Sequence, residues 1–168
     1  MSKDLQIIKK LESRFGLFHY ELKNNEVTKL KLIFKKIKNE DLELIRELTS
    51  LNTLKLDYND ISTIQGLEKL ANLQEFHLNN NKITTIQGLD KLTNLKHLVF
   101  YGNQITKIEG LEKLDGLKTL DLSRNQIDKI EGLEGLDGLE ILDLCSNNIP
   151  EKETKEFRDN NPKIKVYD

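Results

Sequence analysis

From Leu51 onward the chain repeats one fixed order of apolar and polar positions. The first complete unit reads Leu51, Leu54, Leu56, Asn59, Ile61, Ile64, Gly66, Leu67, Leu70, and the same order recurs from Leu73, Leu95 and Leu117. A fifth copy opens at Leu139 and runs through Leu142, Leu144, Asn147 and Ile149. Asn59, Asn81, Asn103, Asn125 and Asn147 are each 22 residues apart, a period that marks a stacked repeat architecture. The run Leu54-Lys55-Leu56 alternates with the two-residue period of a strand, which puts both leucines on one side and Lys55 on the other. One strand per unit is therefore expected, with the remaining apolar positions on a return path. A single unit cannot offset a backbone ordering cost of about 1 to 2 kcal/mol per residue, so stability has to come from stacking.

A degenerate copy precedes these units. Val27, Leu30, Leu32, Ile37, Leu42, Ile45 and Leu48 follow the apolar order, but the copy is two residues longer and has Lys35 where the asparagine should stand. Further upstream, Leu5, Ile8, Leu11 and Phe15 have helical spacing, and Phe18, Tyr20 and Leu22 alternate like a strand, with Lys23 to Glu26 as a hairpin turn onto Val27. At the other end, Pro150 suits a helix start, residues 151–159 continue the helix with Phe157 turned inward, and Asn161-Pro162 stops it. Ile164 and Val166 then alternate like a last edge strand. The expected organisation is one structural domain: residues 1–26 an N-terminal cap of helix plus hairpin strand, 27–149 the repeats, 150–168 a C-terminal helix cap.

The L-x-x-L-x-L-x-x-N order resembles the leucine-rich repeat family over residues 27–168. The 22-residue step, with Ile-x-x-Ile-x-Gly-Leu-x-x-Leu on the return path, is similar to the short-repeat class found in internalins, in a regulatory subunit of type-one protein phosphatase and in a splicing-associated protein. The resemblance implies an α/β repeat fold: a right-handed solenoid, arched like a horseshoe, with a parallel concave sheet of about six strands and short helical or extended segments on the convex side. It also implies a protein-binding role. The asparagines and Gly66, Gly88, Gly110 and Gly132 then read as scaffold, satisfying backbone groups at turns and permitting close approach.

In such a sheet, equivalent positions lie side by side about 4.8 Å apart, so outward residues form columns. One column runs Lys31, Lys55, His77, Val99, Asp121, Asp143, passing from positive to negative. The column before it runs Lys29, Thr53, Glu75, His97, Thr119, Ile141, and the one after it Ile33, Asp57, Asn79, Tyr101, Ser123, Cys145. At the strand exits stand Phe34, Tyr58, Asn80, Gly102, Arg124 and Ser146. Phe100 occupies a leucine position and belongs to the core, as does Phe76. Val99 and Tyr101 are expected at the centre of the concave face, with His77, His97, Asp121 and Arg124 nearby and Phe34 and Tyr58 extending the patch. Aromatic residues and arginine amid a surface are the usual composition of binding hot spots, so these eight are the expected partner-binding residues.

Composition narrows the function classes. The net charge of the 168 residues is −2 and no basic block stands out, so direct nucleic-acid binding is not expected. No apolar run reaches the roughly 18 to 20 residues of a membrane span, and the start MSKDLQIIKK lacks a secretory apolar segment; a cytoplasmic location is expected. Cys145 is the only cysteine, which excludes an internal disulfide or a multi-thiolate zinc site. Cys145 lies repeats away from any histidine, and Glu75, His77 and His97 are too loosely spaced for a metal centre. The sequence therefore predicts a monomeric, non-catalytic interaction module without cofactor or metal. It binds a protein partner through the concave face as an adaptor or regulatory subunit. The alternative is a ribonucleoprotein-associated scaffold that binds a protein near RNA; an enzyme ranks last.

Overall fold

Eight strands form a single sheet in chain order, β1-β2-β3-β4-β5-β6-β7-β8, in the computed structural model, which describes all 168 residues. They are β1 (His19–Lys23), β2 (Glu26–Lys31), β3 (Thr53–Lys55), β4 (Glu75–His77), β5 (His97–Val99), β6 (Thr119–Asp121), β7 (Ile141–Asp143) and β8 (Lys165–Tyr167). β1 and β2 pair as an antiparallel hairpin, and every later pairing is parallel. The expected leucine-rich repeat solenoid is thus present, its six repeat strands extended at one edge by β1 and at the other by β8. The helices are α1 (Lys3–Phe15), α2 (Leu42–Ile45) and α3 (Glu151–Asn160). Only the first return path contains helix, a 3-10 turn at Asn39–Asp41 followed by α2. The later return paths are successive turns.

The register is constant. Leu30, Leu54, Phe76, Leu98, Leu120, Leu142 and Val166 are consecutive partners across β2 to β8, and a single core cluster of 39 buried residues runs through the stack. Phe76 and Phe100 fill leucine positions and are fully buried. Close stacking constrains the return path: a Cβ on Gly110 or Gly132 would collide with the carbonyl oxygen of Ile86 or Ile108 in the preceding unit, and both glycines have positive φ. Any side chain there forces adjacent units apart.

The asparagines bind the units together. Asn103 accepts from the Ile83 amide at 3.1 Å and donates to the carbonyls of Leu78 and Phe100, both at 2.9 Å. Asn81, Asn125 and Asn147 repeat this arrangement, each accepting from an isoleucine amide of the preceding unit and donating to a carbonyl of that unit and of its own. Asn59 accepts from two amides, Lys35 at 2.9 Å and Ile37 at 3.1 Å. Because each asparagine serves the unit before it, the first unit needs none, which accounts for Lys35.

The two ends are closed differently. α1 begins at Ser2, whose hydroxyl accepts from the Leu5 amide, and its Ile8 and Leu11 are at most 1% exposed. Asp4 of α1 accepts from the Val27 amide at 2.8 Å, and Arg14 pairs with the buried Asp41, which also accepts from the Lys38 amide. Glu47, beside α2, is paired with Lys3 of α1 and with Lys69 of the second return path. Hydrogen bonds from Lys3 and then Lys69 hold its carboxyl down from 4.5 to about 2. At the other end, Pro150 stands just outside α3. Phe157, Ile164 and Val166 pack on the core only partly buried, and Ile130 and Leu133 beneath them are half-buried. Their counterparts Ile108 and Leu111 one unit earlier are at most 2% exposed.

Two outcomes follow. Replacing Asn103 by Ala strands the buried Ile83 amide and removes one of the two asparagine hydrogen bonds to each of the Leu78 and Phe100 carbonyls, which keep those from Asn81 and Asn125. At about 1 to 3 kcal/mol per unsatisfied buried group, urea denaturation is expected to show a loss on the order of 3 kcal/mol. Because the Glu47 carboxyl is held down, its pairs stabilise the fold above the ordinary glutamate value of 4.5 and that contribution fades as pH falls towards about 2. The melting-temperature difference between the wild type and Glu47→Gln should therefore be largest near neutrality and shrink across that interval.

Candidate functional site: the concave sheet

Strand pairing fixes the outward residues of the sheet. Lys31, Lys55, His77, Val99, Asp121, Asp143 and Tyr167 are successive partners across β2 to β8. All of them are at least partly exposed, because their neighbours in the chain turn into the core. The adjoining row is Lys29, Thr53, Glu75, His97, Thr119, Ile141 and Lys165.

At the positive end, Lys55 and His77 both contact Oε1 of Glu75 at 2.7 Å, while Thr53 donates to its other oxygen at 3.3 Å. Burial raises the Glu75 carboxyl, but the hydrogen bond and charge of Lys55, helped by His77, outweigh burial and leave it below its ordinary value. Lys31 takes part in none of the ion pairs of the protein. At the negative end, Asp121 accepts from the Ser123 amide at 2.9 Å and from its hydroxyl at 2.5 Å, and Asp143 accepts from the Cys145 amide at 3.0 Å. Neither carboxylate has a cationic partner.

The strand exits follow one rule. Phe34, Tyr58, Asn80, Gly102, Arg124 and Ser146 all have positive φ, between 52° and 69°. The amide of each from Phe34 to Arg124 donates to a carbonyl of the next unit, at 2.7 to 3.2 Å. The left-handed turn at this position swings the following asparagine into the core. Bulky side chains are uncommon in that conformation, and two of them stand adjacent here. The Phe34 and Tyr58 rings are stacked with centroids 4.2 Å apart and an angle of 20°, yet Phe34 is 70% and Tyr58 46% exposed. Further along, the Arg124 guanidinium lies 5.4 Å from the Tyr101 ring centroid.

The eight expected residues thus fall into four groups. Val99 and Tyr101 are half-buried at the middle of the face with Arg124 over Tyr101; Phe34 and Tyr58 form a separate exposed stack at the N-terminal side; His97 is exposed beside Val99's strand position. His77 and Asp121 are half-buried and already hydrogen-bonded within the protein. The outward columns need three corrections. Thr53, Asp57 and Ser123 are buried, at 5 to 7% exposure. Asp57, for instance, is turned into the sheet to accept from the Asn79 amide at 2.9 Å. Tyr167 was not among the expected residues, although it is 40% exposed and in register with Asp143. The alternation of Lys165, Val166 and Tyr167, aligned with Leu142, carried that signal.

Burial, and then the Asp143 carboxylate, push the Cys145 thiol up, the opposite of what an attacking thiolate requires. No group of three or more His, Cys, Asp and Glu side chains is arranged to hold a metal ion. A cavity of about 610 Å³ lies away from the central patch, between residues 130–139 and the α3 segment carrying Phe157. No helix is long and apolar enough to cross a membrane.

A regular parallel sheet, one strand per unit, with an asparagine stitch at every turn defines a leucine-rich repeat protein. The family model described as "Leucine Rich repeats (2 copies)" matches four overlapping stretches, residues 49–91, 71–113, 93–135 and 115–154; the chain belongs to this family. Among solved structures it is similar to an internalin from Listeria monocytogenes, with 28% identity and a TM-score of 0.73 over 83% of this chain and 40% of that one. It is also similar to a leucine-rich repeat protein from Leptospira interrogans, with 28% identity and a TM-score of 0.67 over 95% of this chain and 38% of that one. The chain thus spans about two-fifths of the length of either protein. The leucine-rich repeat ectodomain of a receptor kinase from Arabidopsis thaliana shares the fold at 18% identity, with a TM-score of 0.66 over 89% of this chain and 95% of that one. No curated protein matches.

The Glu75 cluster gives a further outcome. Its depressed carboxyl stabilises the fold above the ordinary glutamate range, and that contribution is lost as pH falls through the lowered value. Glu75→Gln should flatten the acid limb of a stability-against-pH curve followed by circular dichroism, leaving the neutral-to-alkaline shape unchanged.

Proposed function

We propose that the protein is a non-catalytic interaction module that captures a protein partner on its concave face, serving as an adaptor or regulatory subunit and acting as a monomer in the cytoplasm. Leucine-rich repeat domains are in general protein-interaction modules, and this one leaves a continuous sheet face open. The observation that carries the reading is the central patch: Val99 and Tyr101 project from adjoining outward positions, and Arg124 lies over the Tyr101 ring. An aromatic-arginine pair is the composition on which interface energies concentrate, and here it is fixed on a rigid sheet. Fixing it beforehand lowers the entropy lost on binding.

The Phe34–Tyr58 stack supplies a second contact point. Two large rings in an uncommon backbone conformation remain 70% and 46% exposed, for Phe34 and Tyr58 respectively. On this reading they meet a partner's apolar side chain, while the lysines and carboxylates of the face set its orientation.

Val99 and Tyr101 are half-buried and lie outside the core cluster, so the double substitution Val99→Ala, Tyr101→Ala should leave the unfolding transition nearly in place. In an affinity capture from a native extract it is expected to release the partner, since hot-spot truncations cost about 2 kcal/mol or more each. Unchanged capture of the same partner overturns the proposal.

A further inference from the structure

We infer that the partner presents an extended polypeptide segment of segregated charge, acidic at one end, apolar in the middle and basic at the other, laid across the strands. The inference rests on the concave face being the binding surface and adds what must bind there.

The row Lys31, Lys55, His77, Val99, Asp121, Asp143 is continuous in the strand register. Its ends carry charges that the protein does not neutralise. Lys31 has no carboxylate partner, and Asp121 and Asp143 receive only amide and hydroxyl hydrogen bonds. Lys55, one strand in from Lys31, shares Glu75 with His77. The middle of the row is apolar at Val99. The charge of this row therefore changes sign from end to end, and a ligand laid along it matches only if its own charges are separated in the same way. Arg124 stands at the strand exit, off this row, and is engaged with Tyr101.

Dimension agrees with an extended chain. Five strand-to-strand steps of about 4.8 Å cover about 24 Å, or roughly seven residues at about 3.3 Å each. A nucleic-acid strand does not fit the pattern, because Asp121 and Asp143 would face phosphates at the negative end of the row. A uniformly acidic or basic peptide meets repulsion at one end. A segment of segregated charge can run in either chain direction, so both orders satisfy the face.

Selection from a phage-displayed library of random peptides of about twelve residues, long enough to cover the row, tests this on the intact protein. Enriched clones are expected to carry acidic residues at one end and basic residues at the other, in either order. As free peptides they should bind about tenfold more weakly to Lys31→Glu and to Asp143→Asn, the latter retaining the oxygen that accepts from Cys145. Circular dichroism of both variants confirms that the fold is intact. Enriched clones whose charges are mixed or of one sign, yet weakened by Val99→Ala, Tyr101→Ala, overturn the charge pattern and leave concave-face binding standing. Clones indifferent to that double variant, or no enrichment above background, overturn both.

Discussion

Everything in this fold depends on the asparagine at the strand exit. Its side chain accepts from the unit before it and donates to carbonyls of that unit and its own. The turn would otherwise bury several backbone groups without partners, at a cost that apolar packing cannot absorb repeatedly. Because the stitch reaches back by a fixed geometry, it also fixes the distance between units, and the glycines of the return path must then tolerate that distance. The first unit, which stitches to nothing before it, is free to be longer and to carry Lys35 and a helical return path.

The same stitch divides labour between the two faces of the sheet. Leucine, isoleucine and asparagine positions are committed to the interior, so the outward positions of each strand contribute little to stacking and can carry charge, aromatic rings or neither. That freedom allows a lysine-to-aspartate gradient and a stacked aromatic pair to exist on one regular scaffold. The left-handed residue before each asparagine sits at the border: its conformation serves the turn, and its side chain serves the surface.

The repeat, the register and the identity of the core were legible in the sequence because stacking demands the same residue type every 22 positions. Depth was not. Thr53, Asp57 and Ser123 occupy outward register positions but are drawn in by hydrogen bonds across or along the sheet, which alternation alone does not encode. The stacking of Phe34 on Tyr58 depends on a backbone turn shared across two units, and the Arg14–Asp41 clamp joins segments with no common periodicity. Tyr167 becomes readable once Val166 of the edge strand is aligned with Leu142, which puts Tyr167 beside Asp143.

The two ends differ in how firmly they are closed. α1 seals its end with buried isoleucine and leucine and with charge clamps to the first unit, whereas α3 leaves Ile130, Leu133 and Phe157 partly open. Synthesis on the ribosome makes the tightly closed end before the loose one. Since units in a solenoid contact only their neighbours, each new unit emerges next to a platform that is already ordered and can add to it. Within residues 1–168 the firmer seal therefore lies on the side made first, and each later unit has an ordered neighbour to add to.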